Sequence, residues 1–121
     1  MKYIFVATVK QLNEYFPYYN EVREVLSRKN YLLLDDWLSK VNLIDYTLSD
    51  IDRRKEFFYD EYLQNLKTAD LVICDISVNS RTVQYQISMA LFAGKRTICM
   101  RKTDGAAIPF LLTCIKDPNL D

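Results

Sequence analysis

Apolar residues cluster in short, evenly spaced runs along this chain, and longer stretches of helical periodicity separate them. Tyr3 to Val9 is apolar and β-branched, which predicts a buried first strand. Gln11 to Phe16 reads as a polar-aromatic connection, and Pro17 suits the first turn of a helix running to about Lys29, with Tyr18, Val22, Val25, Leu26 and Lys29 at helical spacing. Tyr31-Leu32-Leu33-Leu34 predicts a short second strand ending at Asp35-Asp36-Trp37, and Leu38 to Leu48 fits no single pattern. Ser49 can cap a long helix, with Asp52 in the capping-box position and Ile51, Phe58, Tyr62 and Leu66 on its inner stripe. Asp70 to Ile76 predicts the clearest strand, because Leu71-Val72-Ile73-Cys74 shows no polar alternation, as in a parallel strand covered on both faces. After a turn over Val78 to Arg81, Thr82 to Ala93 reads as a helix apolar almost all round and therefore buried, with Gly94 just past its end. A fourth strand follows over Thr97 to Met100, then a loop at Gly105 and a last short helix over Ile108 to Ile115, which Pro118 stops.

Strands alternating with helices in this order predict an α/β fold. The expected architecture is a flavodoxin-like or Rossmann-like three-layer sandwich, with a central parallel sheet of four to five strands and helices on both faces. The whole chain, residues 1–121, is read as a single domain of this kind. In such sheets ligands bind beyond the carboxyl ends of the strands, at the switch point. That puts the candidate site at Val9-Lys10, Asp35-Asp36-Trp37, Asp75-Ile76-Ser77 and Arg101-Lys102.

Composition narrows the chemistry. Half of the residues are hydrophobic, with 9 Tyr and 6 Phe, enough for one packed core. Lys plus Arg and Asp plus Glu are 16 each, so the basic surplus of a sequence-independent nucleic-acid binder is missing. There is no His, which excludes an imidazole base and a His-ligated zinc. Two glycines are too few for a Walker loop or a Gly-x-Gly-x-x-Gly dinucleotide turn. The three cysteines, Cys74, Cys99 and Cys114, match no metal spacing, and two of them lie in apolar runs, so they read as free thiols in a reducing cytosol. No run approaches the roughly 20 apolar residues of a membrane span. The expectation is a soluble, cytoplasmic chain with no cofactor and no metal.

The segment Ala69-Asp70-Leu71-Val72-Ile73-Cys74-Asp75-Ile76-Ser77, the turn and helix from Val78 to Ala90, and Gly94-Lys95-Arg96 before the next strand form the most specific stretch. It resembles the core of the nucleoside 2-deoxyribosyltransferase superfamily, including its deoxynucleoside 5'-monophosphate N-glycosidase branch. The likeness covers roughly Met1 to Arg101 and is specific only from Ala69 to Met100. It implies a flavodoxin-like sheet, usually a homodimer, and cleavage or transfer at a nucleoside N-glycosidic bond. In that family a Glu attacks the anomeric carbon and holds a glycosyl intermediate. The matching position here is Gln86, a neutral amide. The family's Asp in the preceding helix matches Tyr62, with Asp60 and Glu61 alongside on other helix faces. The first loop reads Ala7-Thr8-Val9-Lys10-Gln11 in place of the family's small-residue phosphate turn.

The expected partner is a nucleoside or nucleoside monophosphate, with no nucleic acid and no membrane. Gln86, Asp75 and Glu61 are the candidate catalytic positions; Thr8, Lys10, Trp37, Ser77, Asn79, Ser80 and Arg81 are the candidate substrate contacts. Asp75 reads either as a sugar-hydroxyl binder or substitute nucleophile, or as a cap on its own turn. Asn79-Ser80-Arg81 reads as an anion site at a helix start or as ordinary capping with a solvated Arg. Trp37 reads as a base-stacking ring or a packing residue. Phe57, Phe58, Tyr59 and Tyr62 read as a dimer interface or base-lined pocket, or as a core stripe. The alternatives to an enzyme are a nucleotide-binding or scaffolding protein that lacks the nucleophile, and a TIR-like signalling or defence module. Gln and Glu have nearly equal volume, so Gln86→Glu is expected to leave the fold intact.

Overall fold

The computed structural model describes residues 1–8, 11–34, 36–37, 61–102 and 117–121. Four strands, β1 (Lys2–Val6), β2 (Leu32–Leu33), β3 (Leu71–Asp75) and β4 (Arg96–Met100), form one all-parallel sheet in the order β2-β1-β3-β4. Among the described residues, the helices α1 (Leu12–Arg28), α2 (Leu63–Thr68) and α3 (Arg81–Phe92) connect or flank them. This is an α/β arrangement of flavodoxin-like kind. Strand order reverses direction at β1, so the switch point lies between the carboxyl ends of β1 and β3.

The pleat divides the core in two. Tyr3, Phe5, Leu71 and Ile73 face one side, where they pack with Leu12, Tyr15, Tyr19 and Trp37. Ile4, Val6, Val72 and Cys74 face the other, where they pack with Tyr62 and Leu66 beside α2 and with Val83, Ile87 and Ala90 of α3. Alternate residues of a strand point to opposite faces. Thus α1 covers one face, and α2 and α3 cover the other. β3 is buried at all five positions, as its unbroken apolar run predicts.

Several elements differ from the sequence expectation. α1 starts at Leu12, so the expected connection over Gln11 to Phe16 is mostly helix and Pro17 lies inside it. Leu12, Tyr15, Tyr19, Val22 and Leu26 form a seam against the sheet, and burying that seam outweighs a proline six residues into the helix. β2 is only two residues long. α3 begins one residue before the expected start, and it is not buried all round: Val83, Gln86, Ile87 and Ala90 face inward, while Phe92 is 97% exposed. One side of a helix suffices to cover a sheet. The long helix expected from Ser49 is described only from Glu61 onward, where Tyr62 and Leu66 of its stripe are buried; the ambiguous stretch 38–48, Gly105 and the helix expected over Ile108 to Ile115 lie outside the described residues.

Both long helices end in the same motif. After α3 the Gly94 N–H donates to the Leu91 carbonyl and the Lys95 N–H to Ala90, with Gly94 at φ +72°. After α1 the Asn30 N–H donates to Ser27 and the Tyr31 N–H to Leu26, with Asn30 at φ +64°. A left-handed residue at this position satisfies the last carbonyls and turns the chain back toward the sheet. Residues 119–121 lie along the outer edge of β4: the Thr97 N–H donates to the Asn119 carbonyl, the Cys99 N–H to Asp121, and the Asp121 N–H to Thr97. An Arg96–Asp121 ion pair adds to this. The far edge of the four-strand sheet is thereby covered. Among the described residues no helix is long and apolar enough to cross a membrane.

Candidate functional site

Asp75 is the last residue of β3, at the carboxyl edge beside the switch point. It is 1% exposed, and it shares the α1 face with Leu71 and Ile73. Its carboxylate accepts from the Ser77 backbone N–H at 3.0 Å and from the Ser77 hydroxyl at 3.1 Å. Tyr18, from α1, lies near enough to act on it electrostatically. Ser77 Oγ in turn accepts from the Lys102 backbone N–H at 2.9 Å, which ties the end of β3 to the segment after β4. The Lys102 ammonium lies over the rings of Tyr18 and Tyr15, 5.3 and 5.6 Å from their centroids. Residues far apart in the chain, Tyr15, Tyr18, Asp75, Ser77 and Lys102, thus converge at one place.

Burial pushes the Asp75 carboxyl above its ordinary value, while the Ser77 donors, Tyr18 and Lys102 oppose the rise. The sign of the linkage follows. A carboxyl whose folded pKa is raised lends stability in its protonated form. That stability is complete below the unfolded value and is lost as pH rises through the folded value. Ionising Asp75 therefore costs stability. Next to it, Tyr19 is fully buried, and its hydroxyl has no hydrogen-bond partner among the described residues. Burial first, and then the negative field of Asp75, push that phenol far up. Tyr19 and Asp75 thus place two buried polar side chains next to each other on the α1 side.

Trp37 belongs to this face but is packed. It is 8% exposed and stacks on Phe5 at 6.3 Å with 9° between the rings. The Leu32 and Leu34 N–H groups donate to the Met1 and Tyr3 carbonyls, and the indole N–H then donates to the Phe5 carbonyl at 2.9 Å. The indole therefore supplies the ladder rung that the short β2 leaves open. Asp36, just before it, is held to α1 by an ion pair with Arg23 at 2.7 Å.

Gln86 lies on the opposite side of the sheet. It is 6% exposed on the inward face of α3, among the residues that cover Val72 and Cys74. Its backbone carbonyl accepts from the Tyr62 hydroxyl at 2.6 Å, so residues 62 and 86 touch. Their contact here joins the start of α2 to α3. Glu61 is half-buried beside Tyr62, on that same side. The three candidate catalytic positions are thus not brought together: Asp75 sits on the α1 face, and Gln86 and Glu61 on the α2–α3 side.

Of the remaining candidates, Thr8, Asn79, Ser80 and Arg81 follow the carboxyl ends of β1 and β3. Thr8 is buried two residues beyond β1. Ser80 caps α3, accepting from the Val83 N–H at 3.3 Å, and Asn79 and Arg81 are exposed beside it. Lys10 and Asp35, like Phe57, Phe58 and Tyr59, lie outside the described residues. Sequence reasoning missed Tyr15, Tyr18 and Tyr19 as site residues, and the signal for them was the seam of α1. Among the described residues, no group of three or more His, Cys, Asp or Glu is placed to hold a metal ion.

The position of Gln86 changes one expectation. Equal volume does not protect the Gln86→Glu variant, because a carboxylate there would be buried among apolar side chains. Its pKa rises on folding, so the variant is expected to lose about 1–3 kcal/mol at neutral pH and to recover toward pH 4. Thermal melts of both proteins across that range check this; equal melting temperatures at pH 7 would count against it. In comparisons with known proteins, no protein-family model matches the chain, and no curated protein matches it.

Proposed function

We propose that the chain binds a nucleoside or nucleoside monophosphate at the carboxyl ends of β1 and β3, without breaking its N-glycosidic bond. The observation that carries this reading is the convergence of Asp75, Ser77, Tyr15, Tyr18 and Lys102 at the switch point of a flavodoxin-like sheet. Two tyrosine rings lying under one cation offer aromatic surface on which a base can pack in place of the lysine side chain. The displaced ammonium then pairs with a phosphate. The capped start of α3 lies at the same edge of the sheet. The resemblance of the Ala69 to Met100 stretch to nucleoside 2-deoxyribosyltransferases supports the choice of ligand.

Binding is favoured over turnover by the position of the carboxylates. A glycosyl intermediate needs a carboxylate facing the anomeric carbon. Gln86 is an amide, and Asp75, on the other face, is buried and already accepts two hydrogen bonds from Ser77. A thermal-shift series with nucleosides, nucleoside monophosphates and free phosphate tests the reading. A ligand at about a hundred times its Kd adds roughly 2.7 kcal/mol, and the Lys102→Ala variant is expected to lose most of the gain from monophosphates. No shift with any nucleoside or nucleotide overturns the ligand assignment. Release of free base that Gln86→Ala abolishes overturns the absence of turnover.

A further inference from the structure

Cys74 and Cys99 are register partners on the two neighbouring parallel strands β3 and β4. Both side chains lie on the α3 side of the sheet: Cys74 is wholly buried in that core, and Cys99, half-buried, packs against it. Neighbouring strands run about 4.8 Å apart, inside the roughly 4.4–6.8 Å Cα separation that a disulfide bridges. We propose that this thiol pair is a site of reversible oxidation by hydrogen peroxide, with Cys99 as the attacking sulfur and Cys74 as the resolving one.

The assignment of roles follows from the surroundings. The neighbouring Cys74 thiol holds the Cys99 thiol below its ordinary value, whereas burial pushes the Cys74 thiol well up. The thiolate is the nucleophile, and Cys99 is the less buried of the two. Its sulfur attacks one peroxide oxygen, the O–O bond breaks, and the leaving hydroxide takes a proton to become water. Cys99 is then a sulfenic acid. Cys74 Sγ attacks the Cys99 sulfur, the S–O bond breaks, and the second hydroxide leaves as water with the proton from Cys74. Two thiols are oxidised to one disulfide, and one peroxide is reduced to two waters. The bond joins β3 to β4 one residue before Asp75. The proposal does not depend on any nucleoside ligand.

The test uses the reduced chain, treated with hydrogen peroxide, alkylated, and mapped by peptide mass spectrometry. The expected result is loss of alkylation at Cys74 and Cys99, appearance of the linked peptide, and reversal by dithiothreitol, with Cys114 as the internal comparison. In the Cys74→Ala variant, dimedone is expected to label Cys99, because no resolving thiol remains. Both strand cysteines staying alkylatable while Cys114 oxidises overturns the proposal. So does a Cys99 in the Cys74→Ala variant that dimedone does not label.

Discussion

Replacing Trp37 with Ala is expected to lower stability by about 3–5 kcal/mol, the range for removing a large buried aromatic. Two losses add. The ring leaves a cavity against Phe5 in the cluster that holds Tyr3 and Tyr19. The Phe5 carbonyl also loses its indole donor, at a point where β2 has already ended. A carbonyl left without a partner costs about 1–3 kcal/mol. Trp37→Phe is expected to recover most of the packing but not the hydrogen bond. Denaturant melts of the two variants measure the two parts, and a loss below about 1 kcal/mol in Trp37→Ala would refute the account.

The second large effect is expected at Ser77. Its hydroxyl donates to Asp75 and accepts from the Lys102 N–H, so Ser77→Ala removes both bonds at once. The expected cost at neutral pH is about 2–4 kcal/mol, because hydrogen bonds to charged groups are the stronger ones. The deficit should depend on pH. Removing a donor from an ionised carboxylate raises the Asp75 carboxyl further, so the gap between variant and wild type is widest when Asp75 is ionised. It should narrow as pH falls and the carboxyl takes up its proton. Urea denaturation at pH 7 and near pH 4 reads this directly, and a gap of equal size at both values would show that the carboxylate is not the partner that matters.

How far these features were readable in the sequence depends on which forces set them. β3 is legible because its residues are apolar on both faces, and only a central parallel strand wants that. Gly94 is legible because a left-handed cap asks for glycine. The start of α1 is not, since Pro17 marks a helix start by local preference and the seam from Leu12 to Leu26 overrides it through tertiary burial. The shortness of β2 is hidden because a side chain, the indole of Trp37, does the work of backbone. The site is half legible. Strand ends point to Asp75 and Ser77, but the partnership of Tyr18 and Lys102 with them exists only once α1 and β4 have been placed around β3.

The pleat that separates Asp75 from Gln86 sets a rule for anyone wishing to endow this scaffold with glycosyl chemistry. Installing an acid on α3 would create a lone group behind a wall of strands, screened from the tyrosines and the lysine. A designer would work from the first helix instead, trading one of its rings for a carboxyl that looks across at the lysine's side of the barrier.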